Sequence, residues 1–368
     1  MARKTTGRWI TGLFLAMAML VFAGVSVLAE GVAPENTPYI PTPEPTHAPA
    51  TITITAVGDC TLGTYRTGSG RNSKFGSYVE KYGYDYFFEN VRSLFEQDDI
   101  TIVNLEGPLT NSKDKRSGRT FNFRGKPEWA QILSGSSVEI CNVANNHFLD
   151  YKQVGADDTV AALQAVGVGA SGYGLEYYTE VKGITIGSLG FTEWNFEPED
   201  ILKSVETARQ KCDLLIVSMH WNEEGKRKMS TYCKQMGMAL VDAGADIVIG
   251  NHTHFPGEIM QYKGKYIIGS LGNFCFGGND VIRHFACVIF RQRFTVYGDG
   301  TVTDEGIDII PAYITSDLDK NNYQPMIADV ESGVKLLNEV AGYSETLTIG
   351  NVKWMEDSYA VQNHLVAN

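Results

Sequence analysis

A series of short β-branched runs constrains this chain most: TITITAV, DITIVNL, VEICNVA, GITIGSLGF, DLLIVSMH, DIVIGNH and KYIIGSLGNF. Between several of them lie longer segments with helical periodicity, namely YFFENVRSLFEQ, DDTVAALQAVG, PEDILKSVETARQ and STYCKQMGMALVDAG. This alternation predicts an α/β fold with a mostly parallel sheet covered by helices. From about His284 the pattern changes. HFACVIFRQRFTVYGDGTVTDEGIDIIP reads as two strands around a Gly-Asp-Gly turn, an antiparallel addition near the edge of the sheet.

The polar residues fall where those runs stop. TITITAVGD ends at Asp59, ITIVNLEG at Asn104 and Glu106, and EICNVANNHFLD at Asn145, Asn146, His147 and Asp150. LLIVSMHWNEE ends at His220 with Glu224 nearby, ADIVIGNHTH at His252 and His254, and YIIGSLGNF at Asn273. In open α/β sheets ligands bind outside the carboxyl ends of the strands, where neighbouring loops converge. Any one of these residues has an ordinary structural explanation: an Asp after Gly is a turn or a helix cap, and Asn-Asn a left-handed turn. Together they bring four of the seven histidines and two acids to one rim, which is the pattern of a functional cluster.

Carboxylate, amide oxygen and imidazole suit borderline divalent ions such as Mn²⁺, Zn²⁺ or Fe²⁺. His252 and His254, two apart after a strand, are close enough for one to face each of two neighbouring ions. Such a pair can share a carboxylate and clamp both oxygens of a hydrolysed ester. His147, beside the amide of Asn146, is then placed to protonate a leaving group. Arg116, Arg119 and Arg124 around TFNFRGKP offer guanidinium forks that match phosphate or carboxylate, a solvated loop being the ordinary alternative. Tyr65, Trp194 and Trp221 are the aromatic candidates for stacking on a sugar or peptide.

Outside this domain the composition speaks to compartment. Arg3, Lys4 and Arg8 precede an apolar run from Ile10 to Leu28, so residues 1–29 read as a signal peptide or an uncleaved N-terminal membrane anchor. Either reading puts the rest of the chain outside the cytoplasm, secreted or tethered. Residues 30–50 are a Pro/Thr-rich linker, 51–316 the folded domain, and 317–368 a C-terminal helical extension with its helix near Met326 to Ala341. With 31 basic and 43 acidic side chains, net −12, the chain lacks a nucleic-acid footprint. The six cysteines sit mostly in apolar runs and read as free buried thiols.

GD at Asp59, NLEGPLT from Asn104, ANNHFLDY from Ala144, HWNEE from His220, GNHTH from Gly250 and GSLGNF from Gly269 resemble the signature series of the CapA family. That is the bacterial capsule-synthesis group linked to poly-γ-glutamate. The likeness runs from about Thr51 to Pro311, in the expected order. It implies a four-layer, calcineurin-like metallophosphatase sandwich, two sheets packed between helices, with two divalent metal ions.

Position by position, the resemblance makes Asp59 a ligand of the first ion and Glu106 the bridging acid. It makes Asn146, His220 and His252 ligands of the second ion and His254 the return ligand to the first. His147 becomes the acid that assists the leaving group, with Asp150 orienting it. Asn104, Arg124, Glu224 and Asn273 are the candidates for substrate contact, and Glu258 for a hydrogen bond to ligand or substrate. Thr61 stands where phosphoesterases of this fold carry an imidazole, and Glu106 stands where they carry an aspartate. Lys152 replaces the glycine that commonly follows Asp-Tyr, and Thr253 the proline between the two histidines.

Three functions are compatible with these residues: a metal-dependent hydrolase acting on a phosphoester or an anionic polymer, a non-catalytic accessory of poly-γ-glutamate synthesis or export that grips polymer carboxylates, and a scaffold with vestigial ligands. A membrane-bound capsule synthesis or export complex is the partner the resemblance implies.

Overall fold

A computed structural model describes residues 47–65, 74–278 and 284–345, together with the backbone of strands at 347–354 and 361–367. Residues 1–29 and most of the 30–50 linker lie outside the described residues, and among those described no helix is long and apolar enough to cross a membrane. The chain runs β1 (Ala50–Thr61), α1 (Lys74–Tyr82), α2 (Arg92–Phe95), β2 (Ile100–Leu105), α3 (Gln131–Ser134) and β3 (Ile140–Asn142). Next come α4 (Lys152–Ala165), β4 (Gly169–Ser171), β5 (Tyr177–Val181), β6 (Ile184–Thr192), α5 (Pro198–Arg209), β7 (Leu214–His220), α6 (Thr231–Asp242) and β8 (Ile247–Asn251). β9 (Ile259–Tyr262), β10 (Lys265–Ile268), β11 (Asn273–Phe276), β12 (Ala286–Val296), β13 (Val302–Tyr313) and β14 (Met326–Ile327) follow. α7 (Val330–Tyr343) and a hairpin of β15 (Leu347–Trp354) and β16 (Val361–Ala367) complete it.

Two sheets result. One has the order β14-β13-β12-β1-β2-β3-β4, with β11 also paired to β1; the other has the order β5-β6-β7-β8-β10-β9. The period-2 alternation of the strands explains why they stack. In β2, Ile100 and Ile102 point to the opposite sheet while Val103 and Leu105 face the helices; in β7, Leu214 and Ile216 point inward while Leu215, Val217 and Met219 face outward. Three separate apolar clusters follow, and they are the three interfaces of a four-layer sandwich.

The first packs one sheet against Phe75 of α1, Leu94 and Phe95 of α2, and Ala156 and Leu163 of α4. The second, mostly isoleucine, lies between the sheets. The third packs the other sheet on Ile201 and Val205 of α5 and Met236 and Leu240 of α6. The α/β fold with two sheets between helices is therefore as expected.

Some elements differ from the sequence pattern. KYIIGSLGNF reads as one strand but divides at Gly269–Gly272 into β10 and β11, which belong to different sheets. YFFENVRSLFEQ contributes only the single turn α2, its aromatics packing from turns instead. The 317–368 segment carries α7, as the periodicity suggests, but also β14 and the β15–β16 hairpin. Leu336, Leu337 and Val340 of α7 enter the cluster between the sheets, so this helix closes the core. All six cysteines are free, and all but Cys212 are buried.

The amino ends of the parallel strands share one device that the sequence pattern does not advertise. Asp99, Glu139, Asp213 and Asp246 each stand immediately before a strand, and each grips one residue of the strand beside it twice. Their carboxylates accept the N–H of Thr53, Thr101, Thr185 and Leu215 at 2.7–2.9 Å. Their own N–H groups donate to the carbonyls of those same residues at 2.8–3.1 Å. At these positions the neighbouring parallel strand is only beginning, so the acid satisfies an N–H that would otherwise lack a ladder partner on that side.

Asp246 adds ion pairs to Arg209 and Lys265 at 2.7 and 2.8 Å and is 5% exposed. Replacing it with alanine is expected to lower unfolding stability by about 2–3 kcal/mol, since a backbone donor and two partly buried cations lose their acceptor. Urea denaturation measures this, and a loss below about 0.5 kcal/mol, the range of an ordinary surface change, would contradict the role assigned to it.

Candidate metal centre

The ligands are brought together by register. Asp59 of β1 pairs with Asn104 of β2 on one side and Asn273 of β11 on the other, and Asn104 pairs with Asn142 of β3. In the second sheet Thr192, His220 and Asn251 form the corresponding row. Between Ala56 and Asp59, β1 holds one residue more than β2 opposite, a bulge that re-aims Asp59 at the strand end. Close backbone approach makes two motif glycines necessary. A Cβ on Gly58 would lie 1.8 Å from the carbonyl oxygen of Gly272, and one on Gly250 2.2 Å from that of Gly269. The Gly58 contact sits beside the 2.9 Å bond from the Asp59 N–H to Gly272, which fixes the first carboxylate.

Two sets of donor atoms gather, each within 4.8 Å: Glu106, His220 and His252, and Asp59, Glu106 and His254. Glu106 belongs to both. One carboxylate oxygen is 3.8 Å from Nε2 of His220 and the other 4.0 Å from Nδ1 of His254, too far for hydrogen bonds. Both oxygens are buried and have no hydrogen-bond partner. Asn146 Oδ1 lies 3.1 Å from Nε2 of His220, and Nδ1 of His252 lies 3.0 Å from that same nitrogen. Nδ1 of His254 is 3.2 Å from Asp59 Oδ2 and 2.9 Å from Asn273 Oδ1. His252 and His254 hold φ angles of +101° and +62°, strained for non-glycine residues, and this turn divides the two imidazoles between the two donor sets.

The electrostatics carry the signature of missing positive charge. Burial, then the neighbouring Asp59, pushes the Glu106 carboxyl well above its ordinary range. Burial opposes a charge on His254, yet Glu106, Asp59 and Glu224 outweigh it and raise its pKa to about 10. Burial and the other imidazoles push His220 well down, and burial with His254 takes His252 to about 4. These directions favour the protonated form at Glu106 and His254 and the neutral imidazole at His220 and His252. An unpartnered buried carboxylate flanked by neutral imidazoles and an amide oxygen fits divalent ions of the Mn²⁺, Zn²⁺ or Fe²⁺ kind.

His147 stands beside this cluster. Its Nδ1 is 2.6 Å from Oδ2 of Asp150, an oxygen that also accepts the Phe123 N–H at 2.7 Å, and the Phe123 ring lies 4.1 Å from the imidazole. Asp150 and Phe123 thereby fix the ring and leave Nε2 as its free nitrogen. A cleft of about 830 Å³ opens over the site, lined by Asn146, His252 and Glu224, by Arg116, Arg119 and Lys152, and by Tyr173 and Trp194. Trp194 is half exposed, its ring 4.8 Å from that of His252.

Asp59, Glu106, Asn146, His220, His252 and His254 thus come together, with His147, Asp150 and Glu224 adjacent. Other candidates are placed differently. Asn104, expected as a substrate contact, is buried and donates to Asp59 at 2.7 Å, with its amide nitrogen 3.4 Å from His220, so it braces these two candidate ligands. Asn273 likewise braces His254.

The guanidinium of Arg124 is taken by the Ser112 carbonyl and lies 5.1 Å from the Tyr151 ring, away from the cleft. Trp221 is fully buried, bonded to the Gly269 carbonyl at 2.9 Å, and Glu258 binds the Met229 N–H and Lys234. Sequence reasoning missed Asn142, which donates to Asn104 at 2.8 Å, and gave no role to Asn145, which donates to the Leu105 carbonyl at 2.9 Å. The crowding of asparagines after β3 was the available signal.

Comparison with known proteins places this geometry. The chain is 29% identical over 321 residues to the capsule biosynthesis protein CapA of Bacillus anthracis, covering 77% of this chain and 74% of that one. It is 31% identical over 229 residues to the PGA biosynthesis protein CapA of Bacillus subtilis strain 168, covering 55% of this chain and 60% of that relative's length. A solved structure described as a novel phosphatase from Mycoplasma pneumoniae superimposes at a TM-score of 0.44 and 15% identity, covering 71% of this chain and 93% of that one, a likeness too remote to argue from. Residues 53–278, more than half of the chain and every candidate ligand described above, match the family described as bacterial capsule synthesis protein PGA_cap, and the chain belongs to that family.

Proposed function

We propose that this protein is a hydrolase dependent on two divalent metal ions, acting outside the cytoplasmic membrane on an anionic polymer or phosphoester of the cell envelope. The observation that carries the reading is Glu106, whose two buried, unpartnered oxygens face two donor sets. Asp59, Glu106 and His254 would hold one ion, and Glu106, Asn146, His220 and His252 the other. A pair of ions so held supplies an activated water and stabilises charge on the oxygens of the scissile group. The chain's own residues do the rest. Asn104 keeps Asp59 and His220 in place, Asn273 steadies His254, and His147, held by Asp150, is positioned to give a proton to the leaving group from Nε2. Names of relatives that refer to capsule and PGA biosynthesis support a polyglutamate-like substrate, and residues 1–29 support a place at or beyond the membrane.

Turnover of phosphomonoester, phosphodiester and γ-glutamyl amide substrates by the Mn²⁺- or Zn²⁺-loaded protein tests this. His147→Ala should lower kcat about 10²–10⁴-fold, the range for loss of a general acid, with metal content unchanged. Wild-type turnover no faster than this variant's on all three substrate classes would overturn the hydrolase reading. Affinity for metal has its own pH dependence. The metal-free site keeps a proton on His254 up to a pKa of about 10, and an ion must displace it. Affinity should therefore rise with pH across the neutral range, about tenfold per unit for each proton released, and calorimetry in buffers of different ionisation enthalpy should register that release. Affinity flat between pH 6 and 9 would contradict this.

A further inference from the structure

The cleft has a cationic side that the metal chemistry leaves unused. Arg116, Arg119 and Lys152 line it together with Asn146, Trp194 and Glu224, and Arg119 bonds the Asn146 carbonyl. In a chain with 43 acidic and 31 basic side chains, cations ordinarily find acidic partners. Among the described residues, however, no carboxylate lies within 4.0 Å of the Arg116 or Arg119 guanidinium, whereas Lys152 has only the exposed Asp114, at 2.5 Å. Arg119 spends one nitrogen on the Asn146 carbonyl at 3.0 Å, which ties it to the loop of an expected metal ligand and leaves the rest of its fork for the cleft. Lys152 holds φ at +54°, a left-handed conformation that opposes any residue but glycine, and its side chain reaches the same cavity.

We infer that Arg116, Arg119 and Lys152 form a second anion site. It would bind a carboxylate or phosphate of the substrate other than the group at the metal centre, so that the cleft prefers chains bearing several anions to single ones. The inference rests on the hydrolase reading only in taking the metal centre as the first site. Guanidinium forks match both anions, and two such forks beside a lysine require more than one acceptor oxygen to be satisfied.

The test uses the full chain loaded with Mn²⁺ and follows binding by calorimetry on titration with γ-glutamyl oligomers of one, two and four residues, and separately with phosphate, pyrophosphate and tripolyphosphate. At least one series should tighten tenfold or more from its shortest to its longest member, and which series does so distinguishes carboxylate from phosphate. Arg116→Gln with Arg119→Gln should reduce that gain to within twofold, measured at Mn²⁺ concentrations that saturate the variant. Lys152→Gly should weaken the longest ligand while holding or raising the melting temperature, a pairing that a purely structural lysine would not produce. Equal binding of short and long anions by the wild type, or a length preference that survives the arginine substitutions, would overturn the proposal. Loss of Mn²⁺ binding in the wild type would instead count against the metal centre.

Discussion

A carboxylate buried with no donor is among the groups a fold tolerates least, because it loses its hydration and receives nothing in return. Glu106 is such a group, and Asp59 lies close enough to raise its pKa further. The rest of the site follows from that frustration. The neighbouring acids push the His254 pKa up, and burial with the other imidazoles pushes those of His220 and His252 down. The two strained φ angles at His252 and His254 divide the imidazoles between the two sides of the carboxylate. The proposed pair of divalent cations would resolve all of these features together. Protons resolve only the charge, and they leave both Glu106 oxygens without a partner.

The two ends of the strands divide the labour. At the amino ends Asp99, Glu139, Asp213 and Asp246 clamp neighbouring strands through paired backbone and carboxylate bonds. At the carboxyl ends the same strands in register present Asn273, Asp59 and Asn104 from one sheet and His220 and Asn251 from the other. Stability acids and chemistry acids are thus separated by the length of a strand, with the isoleucine layer holding the sheets face to face so that both sets of carboxyl ends open on one edge. Negative charge at the clamps is satisfied by N–H groups and lysine or arginine. At the site it is left for a ligand.

Much of this was legible in the order of residues. Period-2 runs ending in Asp59, Glu106, His220 and His252 foretell both the strands and the edge at which they meet, because a strand end is a local property and convergence is a rule of α/β sheets. What sequence could not supply was orientation at a distance. Arg124 and Trp221 are candidates by residue type, yet one turns to the Ser112 carbonyl and the other into the core. Asn104 is expected as a substrate contact, but the register of β1 and β2 pairs it with Asp59 in the neighbouring strand. The split of KYIIGSLGNF between sheets depends on the tight Gly269–Gly272 passage, which periodicity does not encode. The acid clamps had a local trace, since DITIVNL, VEICNVA, DLLIVSMH and DIVIGNH all carry an acid at or next to their start.

The most direct test of the shared carboxylate is metal stoichiometry. Mn²⁺ or Zn²⁺ bound per chain, determined by mass spectrometry of metal-replete protein after desalting, should be two for the wild type and one or fewer for Glu106→Gln, with the fold retained by circular dichroism. Two tightly held ions in the folded glutamine variant, or none in the wild type, would contradict the account.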